Sequence, residues 1–199
     1  MAARIIALEG IDQSGKQTQT RLLAKRLRRR DYKTTTISFP IYKSLSGKRI
    51  RAYLRGRQNL PDEAVHMLYS LNRWENQDLI ENLVRRYDFV IADRYTPSNL
   101  AYGTSRGLNL TWLEGLDKGL PSADLVIVLD TPVPLSFARK SRHRDVYESD
   151  REFLVRVRRA YKILSKRLDW RIVSASRSPS DVELEIWSVV TNKFRMPLK

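Results

Sequence analysis

The sequence predicts an α/β fold, in which a parallel sheet of about five strands carries helices on both faces and a short lid. Short apolar, partly β-branched segments alternate with longer segments of helical periodicity, and no repeat, low-complexity stretch or long linker interrupts them. Alternation of this kind is typical of sheets that bind ligands at the carboxyl ends of their strands. We therefore expect one domain over residues 1–199, with a lid near residues 139–148.

Each predicted element has its own signal in the sequence. The first helix, residues 18–30, places Leu22, Leu23 and Leu27 on one face. The longest helical pattern covers residues 62–86 and begins after Pro61, since proline favours a first helical turn. The predicted strands, each followed by a turn signal or a polar residue, are residues 4–9, 33–38, 89–92, 125–129 and 171–173.

Residues 10–18, Gly-Ile-Asp-Gln-Ser-Gly-Lys-Gln-Thr, join the first strand to the first helix and nearly form a Walker A loop, or P-loop. The backbone N–H groups of such a loop and the positive end of the following helix dipole attract phosphate oxygens. Its two glycines permit a close backbone approach, and its lysine supplies a cation to the β and γ oxygens. The sequence therefore predicts a P-loop NTPase-type sheet and a triphosphate site formed by Gly10, Asp12, Gln13, Ser14, Gly15, Lys16, Gln17 and Thr18.

The expected magnesium site departs from the usual P-loop pattern. Gln17 occupies the position at which a Ser or Thr hydroxyl usually ligates Mg²⁺, and an amide does not replace it directly. We expect the ion to be held through water by Asp12, by a carboxylate elsewhere, or with help from Thr18. Asp93, at the end of the third strand, is the second candidate, and Arg94 beside it is suited to phosphoryl oxygens. A surface ion pair between Asp93 and Arg94 is the alternative.

Composition narrows the possible classes of protein. The chain has no cysteine, and no run approaches the roughly 18 apolar residues of a membrane span. No apolar leader precedes the first strand, so we expect a cytoplasmic protein without a membrane partner. The net charge of +15 permits a nucleic-acid partner. We do not expect that partner, because a basic cleft also suits two nucleotide substrates and the sequence shows no nucleic-acid recognition motif.

Six segments, spread in one order along most of the chain, extend the pattern beyond the P-loop. They are Leu8-Glu9 with the P-loop, Phe39-Pro40, residues 69–75, Asp93-Arg94-Tyr95 with Ser98-Asn99 and Tyr102, Gly119-Leu120-Pro121, and residues 144–148. In these segments the chain resembles the thymidylate kinase family of nucleoside monophosphate kinases. The resemblance implies transfer of the γ-phosphoryl group of ATP to dTMP with Mg²⁺ as cofactor, and a homodimer formed through long helices.

Two other readings of the sequence stay open beside this resemblance. One is a different deoxynucleoside or monophosphate kinase built on the same scaffold. The other is a basic P-loop protein that binds nucleotide or nucleic acid but has lost turnover through Gln17.

The resemblance implies roles for residues of a nucleobase site. Tyr69 resembles the aromatic platform beneath thymine, which is usually Phe in this family, and Arg73, on the same helix face, resembles the donor to a thymine carbonyl. Asn99 would read the pyrimidine edge. Tyr102 would fill the space beside the sugar 2′ carbon, and Asp12 would accept from the 3′-hydroxyl. Alternatively, Tyr69 is a core residue and Arg73 only pairs with a neighbouring acid.

The resemblance also implies how the acceptor phosphate is held. Arg94 and Tyr42, with Phe39 nearby, would bind it, although many relatives carry an arginine where this chain has Ile41 and Tyr42. Tyr147 belongs to the matching segment 144–148 and is included among the substrate-binding residues.

The catalytic cations are assigned in the same way. Some family members carry an arginine in the P-loop at the position of Gln13, and others carry it in a lid that closes over ATP. Because this chain has Gln13, we expect a lid arginine, with Arg139 and Arg142 as candidates and a solvated basic loop as the alternative. Ser176, after the last strand, resembles part of an adenine-contacting loop. The predicted catalytic residues are Lys16, Asp93, Arg94, Arg139 and Arg142.

Overall fold

The computed structural model describes residues 3–139 and 145–196. Its sheet has five strands in the order β2-β3-β1-β4-β5, and all neighbouring strands are parallel. This confirms the predicted α/β class and the predicted number of strands. The strands are β1 (Arg4–Glu9), β2 (Thr34–Ser38), β3 (Phe89–Asp93), β4 (Leu125–Asp130) and β5 (Arg171–Ser174).

Alternate residues of a strand point to opposite faces of the sheet, so each face has its own apolar side chains. Helices cover both faces. Ile6 and Leu8 of β1 belong to an apolar cluster with α1 and α10, whereas Ala7 belongs to a cluster that α3, α5 and α9 cover. The helices are α1 (Lys16–Arg28), α2 (Leu45–Leu54), α3 (Asp62–Trp74), α4 (Gln77–Arg86), α5 (Thr96–Ser105), α6 (Leu110–Leu116), α7 (Val133–Arg139), α8 (Val146–Ser149), α9 (Arg151–Arg167) and α10 (Pro179–Phe194).

The prediction of one helix over residues 62–86 is wrong, because the chain turns between α3 and α4. The side-chain amide of Asn76 donates to the carbonyl of Asn72 (2.8 Å), and the Asn76 N–H donates to the carbonyl of Arg73 (3.1 Å). Asparagine side chains compete with the helix in this way for backbone partners. The carboxylate of Glu75 also bonds the hydroxyl groups of Ser44 and Ser46.

The strand register brings three chain segments to one edge of the sheet. Leu8 of β1 and Ser38 of β2 both align with Asp93 of β3. The P-loop, Phe39 and Arg94 follow these strands directly, so they emerge side by side at the carboxyl edge. The functional site therefore has its expected location in an open parallel sheet.

Close packing of α5 on α6 provides a test of this arrangement. A Cβ at Gly103 would lie 2.6 Å from Cδ1 of Leu113, which is fully buried, whereas a Cβ at Gly115 would meet nothing within 4 Å. We expect Gly103→Ala to lower the free energy of unfolding by about 1–3 kcal/mol. Gly115→Ala, the matched control, should be neutral or stabilising by up to about 1 kcal/mol. Urea unfolding measures both, and equal midpoints for the two variants would contradict this packing.

Candidate active site

The P-loop connects β1 to α1 through two glycines with positive φ. Gly10 has φ 134° and Gly15 has φ 94°, and a Cβ at Gly10 would lie 2.7 Å from the carbonyl oxygen of Leu129. Lys16 folds back on the loop, where Nζ donates to the carbonyls of Gly10 (3.2 Å) and Ile11 (2.8 Å). Burial, together with the charge of Arg94, lowers the pKa of Lys16 to about 8. Among the described residues no side chain caps the N-terminus of α1, and the free amides of a helix N-terminus suit an anion.

A cleft of about 1410 Å³ runs along the P-loop. In this cleft the guanidinium of Arg139 donates to the carbonyls of Gln13 (3.0 Å) and Ala175 (2.8 Å). Arg139 therefore lies where a lid cation was predicted, and its catalytic role stays a prediction. Ser176 is exposed, and the residues on either side of it line the cleft. Arg142 lies outside the described residues.

A second cavity, of about 580 Å³, adjoins this cleft. The two share Asp12, Phe39, Pro40, Tyr42 and Arg94 as lining residues, so they meet on one side of the molecule. Every residue predicted for the acceptor site lines the second cavity, namely Asp12, Phe39, Tyr42, Tyr69, Arg73, Arg94, Asn99, Tyr102 and Tyr147.

Arg94 occupies the junction of the two cavities. Its Nη2 donates to Oδ1 of Asp12 (2.5 Å) and to the hydroxyl of Tyr102 (3.1 Å), and its Nη1 donates to the carbonyl of Gly10 (3.1 Å). Tyr102 in turn donates to Oδ2 of Asp12 (2.9 Å). Burial acts to raise the pKa of Asp12, but Arg94 and Lys16 outweigh it and hold the pKa at about 2. With Lys16 protonated, these three charged groups carry one net positive charge.

This geometry distinguishes the two carboxylates predicted to bind magnesium. Both oxygens of Asp12 accept hydrogen bonds from protein donors, and its predicted metal role, through water, stays a prediction. Asp93 lines the P-loop cleft with Gln17 and Thr18. The surface ion pair considered between Asp93 and Arg94 is not the one observed, since Arg94 pairs with Asp12. Within residues 3–139 and 145–196, no group of three or more His, Cys, Asp or Glu residues is arranged to hold a metal.

Glu9, to which the sequence analysis gave no role, anchors the segment that carries Arg94. It is fully buried and accepts from the N–H of Tyr95 (2.7 Å), the hydroxyl of Ser98 (2.5 Å) and the hydroxyl of Tyr161 (2.9 Å). Ser98 also accepts from Nη1 of Arg94 (3.1 Å). Burial raises the pKa of Glu9, while the charge of Arg94 opposes that rise. The sequence did contain a signal for this role, since Glu9 is a single acidic residue at the end of an apolar strand.

Arg73 lines the second cavity and also forms an ion pair. Its Nε and Nη2 donate to the carboxylate of Asp117 (3.1 and 2.6 Å), and both side chains are nearly buried, with 3% and 7% of their surface exposed. Arg73 therefore pairs with an acidic residue, as the alternative interpretation of the sequence predicted. Nη1 of Arg73 has no hydrogen-bond partner among the described residues. A contact from Arg73 to a nucleobase stays a prediction.

Gln13 links the P-loop to the last residue of the predicted lid. Its side-chain amide donates to Oε1 of Glu148 (2.9 Å), and Glu148 forms a capping box with Asp145 at the start of α8. Burial and the charge of Asp12 raise the pKa of Asp145 to about 6. Only residues 139 and 145–148 of the predicted lid fall within the described ranges.

His66 is the other residue that the sequence analysis missed. It lies three residues before Tyr69 on α3, lines the same cavity and hydrogen bonds to Asn99. Helical spacing from Tyr69 could have placed it on the cavity face.

A P-loop and an adjoining cavity at the carboxyl edge of a parallel sheet define the class of P-loop proteins, here with two adjoining pockets. The family model for thymidylate kinase matches residues 8–186, and the chain belongs to that family. It is 34% identical over 194 residues to the thymidylate kinase of Schizosaccharomyces pombe, covering 95% of this chain and 92% of the relative. It is also 34% identical over 192 residues to the thymidylate kinase of Homo sapiens, covering 94% and 90%.

Comparison of structures agrees with the sequence comparison. The thymidylate kinase of Candida albicans superposes with a TM-score of 0.86 at 29% identity, covering 98% of this chain and 94% of that chain. None of the helices in the described ranges combines the length and apolar character needed to cross a bilayer.

The lowered pKa of Lys16 has a measurable consequence. In the protein without ATP, Lys16 loses its proton as pH rises through about 8. When ATP binds, its negative charge raises the pKa of Lys16 again. We expect ATP binding at a pH of about 9 to take up as much as about one proton, and uptake should vanish below a pH of about 7. Calorimetric titration in buffers of different ionisation enthalpy measures this uptake. Lys16→Arg, which stays charged, should show none, and wild-type binding without uptake would contradict the shift.

Proposed function

We propose that the P-loop cleft and the second cavity hold ATP and dTMP end to end, so that the chain transfers the γ-phosphoryl group of ATP to dTMP and forms dTDP and ADP. The observation that carries this proposal is the shared wall of the two cavities, where Asp12, Phe39, Tyr42 and Arg94 line both. Two ligands in these cavities would bring their phosphates together at Arg94.

The transfer needs positioned cations more than covalent chemistry. An oxygen of the dTMP phosphate forms a bond to the γ phosphorus, and the bond from that phosphorus to the bridging oxygen of ADP breaks. The acceptor phosphate is largely ionised at neutral pH, so no general base is required. Lys16, Arg139 and Arg94 all line the P-loop cleft, and Arg94 also lines the second cavity.

Magnesium fits this site through one carboxylate. Mg²⁺ commonly retains several waters and binds through one or two carboxylates and the substrate phosphates. Asp93, which lines the cleft beside Gln17 and Thr18, would hold it, directly or through water. The ion would neutralise phosphate charge.

The wall of the second cavity supports the proposed nucleoside contacts. Tyr69 would stack against thymine, Arg73 and Asn99 would bond its polar edge, and the ring of Tyr102 would stand beside the sugar. Tyr147 packs against Tyr102 with ring centroids 5.5 Å apart. Its ring would line the cavity wall beside the sugar together with that of Tyr102.

We also propose a homodimer that uses α3. Met67 and Leu71 lie one turn apart on this helix, and each is 49% exposed. Large apolar side chains exposed together on one helix face commonly mark a protein interface. The cytoplasmic location expected from the sequence stays a prediction.

The activity is tested by ADP formation with ATP, Mg²⁺ and different acceptors. We expect rapid ADP formation with dTMP, less with dUMP, and little with thymidine, ribonucleotides or purine monophosphates. Chromatography should identify dTDP as the second product, and removal of Mg²⁺ with EDTA should stop the reaction.

Other outcomes of the same assay would replace the proposal. Turnover of thymidine but not dTMP would indicate a deoxynucleoside kinase. If no acceptor stimulated ADP formation with any divalent metal, and the protein bound DNA tightly in a salt-sensitive manner, a non-catalytic polyanion-binding protein would be favoured.

Arg94→Ala tests the junction. Because Arg94 is the cation shared by the two cavities, its loss should lower kcat by at least about 100-fold. ATP affinity should stay nearly unchanged, since Lys16 and the P-loop amides remain. Arg94→Lys keeps the charge but not the planar donor pair, so it should recover only part of the rate. Unchanged kinetics in Arg94→Ala would remove this residue from the reaction, and its thermal unfolding shows whether the variant is folded.

A further inference from the structure

His66 lies buried in the wall of the second cavity, directly against Asn99. None of the His66 surface and only 3% of that of Asn99 is exposed. Nδ1 of His66 lies 2.7 Å from Oδ1 of Asn99, and Nδ2 of Asn99 donates to the backbone carbonyl of His66 (3.2 Å). Asn99 is thus held at both ends of its amide by one residue.

The two contacts together determine where the protons lie. A backbone carbonyl only accepts hydrogen bonds, so the amide nitrogen of Asn99 must face it. The amide oxygen then faces Nδ1 of His66, which must carry a proton to donate. Burial lowers the pKa of His66, which favours the neutral ring with its lone pair on Nε2. That atom has no hydrogen-bond partner among the described residues.

An amide held in one orientation distinguishes pyrimidine bases that an amide free to rotate does not. Two groups of Asn99 remain available, one N–H on Nδ2 and one lone pair on Oδ1. Thymine presents a donor at N3 and an acceptor at C4, whereas cytosine presents an acceptor at N3 and a donor at C4. An amide free to rotate by 180° could suit either base, but an amide fixed in one orientation favours one of them.

We infer that His66 is a positioning residue for base selection, and that its Nδ1–H, acting with the backbone carbonyl of the same residue, holds the Asn99 amide in the orientation that favours thymine over cytosine. The inference rests on the proposed binding of dTMP in this cavity. Arg73 contributes separately, since its pairing with Asp117 holds a second donor at the cavity wall. Loss of the His66 contact should therefore weaken selection rather than abolish it.

Three substitutions at His66 distinguish the effect of losing the Nδ1–H donor from the effect of losing the bulk of the ring. In His66→Asn the amide nitrogen can occupy the position of Nδ1 and retain a donor toward Asn99. In His66→Gln the amide reaches toward the position of Nε2, and His66→Leu has no polar group. The readout is the ratio of kcat/KM for dTMP to that for dCMP, which does not depend on the fraction of folded enzyme. The ratio of the dissociation constants for the two nucleotides reports selection in the ground state, without turnover.

We expect His66→Asn to keep the wild-type ratio, and His66→Gln and His66→Leu to lower it by at least about fivefold, as loss of one net hydrogen bond predicts. In an Asn99→Ala background, His66→Leu should cause no further change, because the amide that it positions is absent. Thermal unfolding reports any separate loss of stability.

Two results would overturn the inference alone, while wild-type turnover of dTMP remained normal. One is an unchanged ratio in His66→Gln and His66→Leu, and the other is an equal effect of His66→Leu with and without Asn99. A wild-type enzyme that forms no ADP with dTMP would instead overturn the proposed function, and this inference with it.

Discussion

The ion pair between Arg94 and Asp12 joins the two halves of the site. A guanidinium that is mostly removed from water, as that of Arg94 is with 16% of its side-chain surface exposed, is costly unless it is paired and its donors are satisfied. Here Asp12, Tyr102, Ser98 and the carbonyl of Gly10 accept from it. The partners come from the P-loop and from α5, so the pair fixes the P-loop cleft against the second cavity. The register of β1 with β3 brings the two chain segments together.

The same pair determines which charges of the site can change with pH. Because the pKa of Asp12 is about 2, the carboxylate stays ionised at every pH at which the protein would be assayed. Arg94 stays protonated, since the surrounding acceptors raise its pKa further. Lys16 and Asp145, with pKa values of about 8 and about 6, are the neighbouring groups that change charge near neutrality. The junction therefore keeps its charge while its surroundings titrate.

The sequence predicted those features of the fold and site that depend on residues close together in the chain. The P-loop and the parallel strands follow from short motifs and strand ends, whereas the cavity-lining side chains were predicted from the resemblance to the thymidylate kinase family. The turn at Asn76 was missed because the apolar periodicity continues through it. The pairing of Arg73 with Asp117 and of His66 with Asn99 depends on how α3 packs against α5 and α6, over separations of 44 and 33 residues. No periodicity in one segment reports such partners.

Gln13 shows how one substitution changes the distribution of charge. Where some thymidylate kinases carry a P-loop arginine, this chain has a neutral amide that binds Glu148. The backbone carbonyl of the same residue accepts from Arg139. A guanidinium from the end of α7 thus reaches the loop position that lacks its own cation, and the carbonyl of Ala175 fixes its other nitrogen. Since phosphoryl transfer depends on where positive charge lies rather than on which element supplies it, this contact supports the prediction that Arg139 is the catalytic arginine.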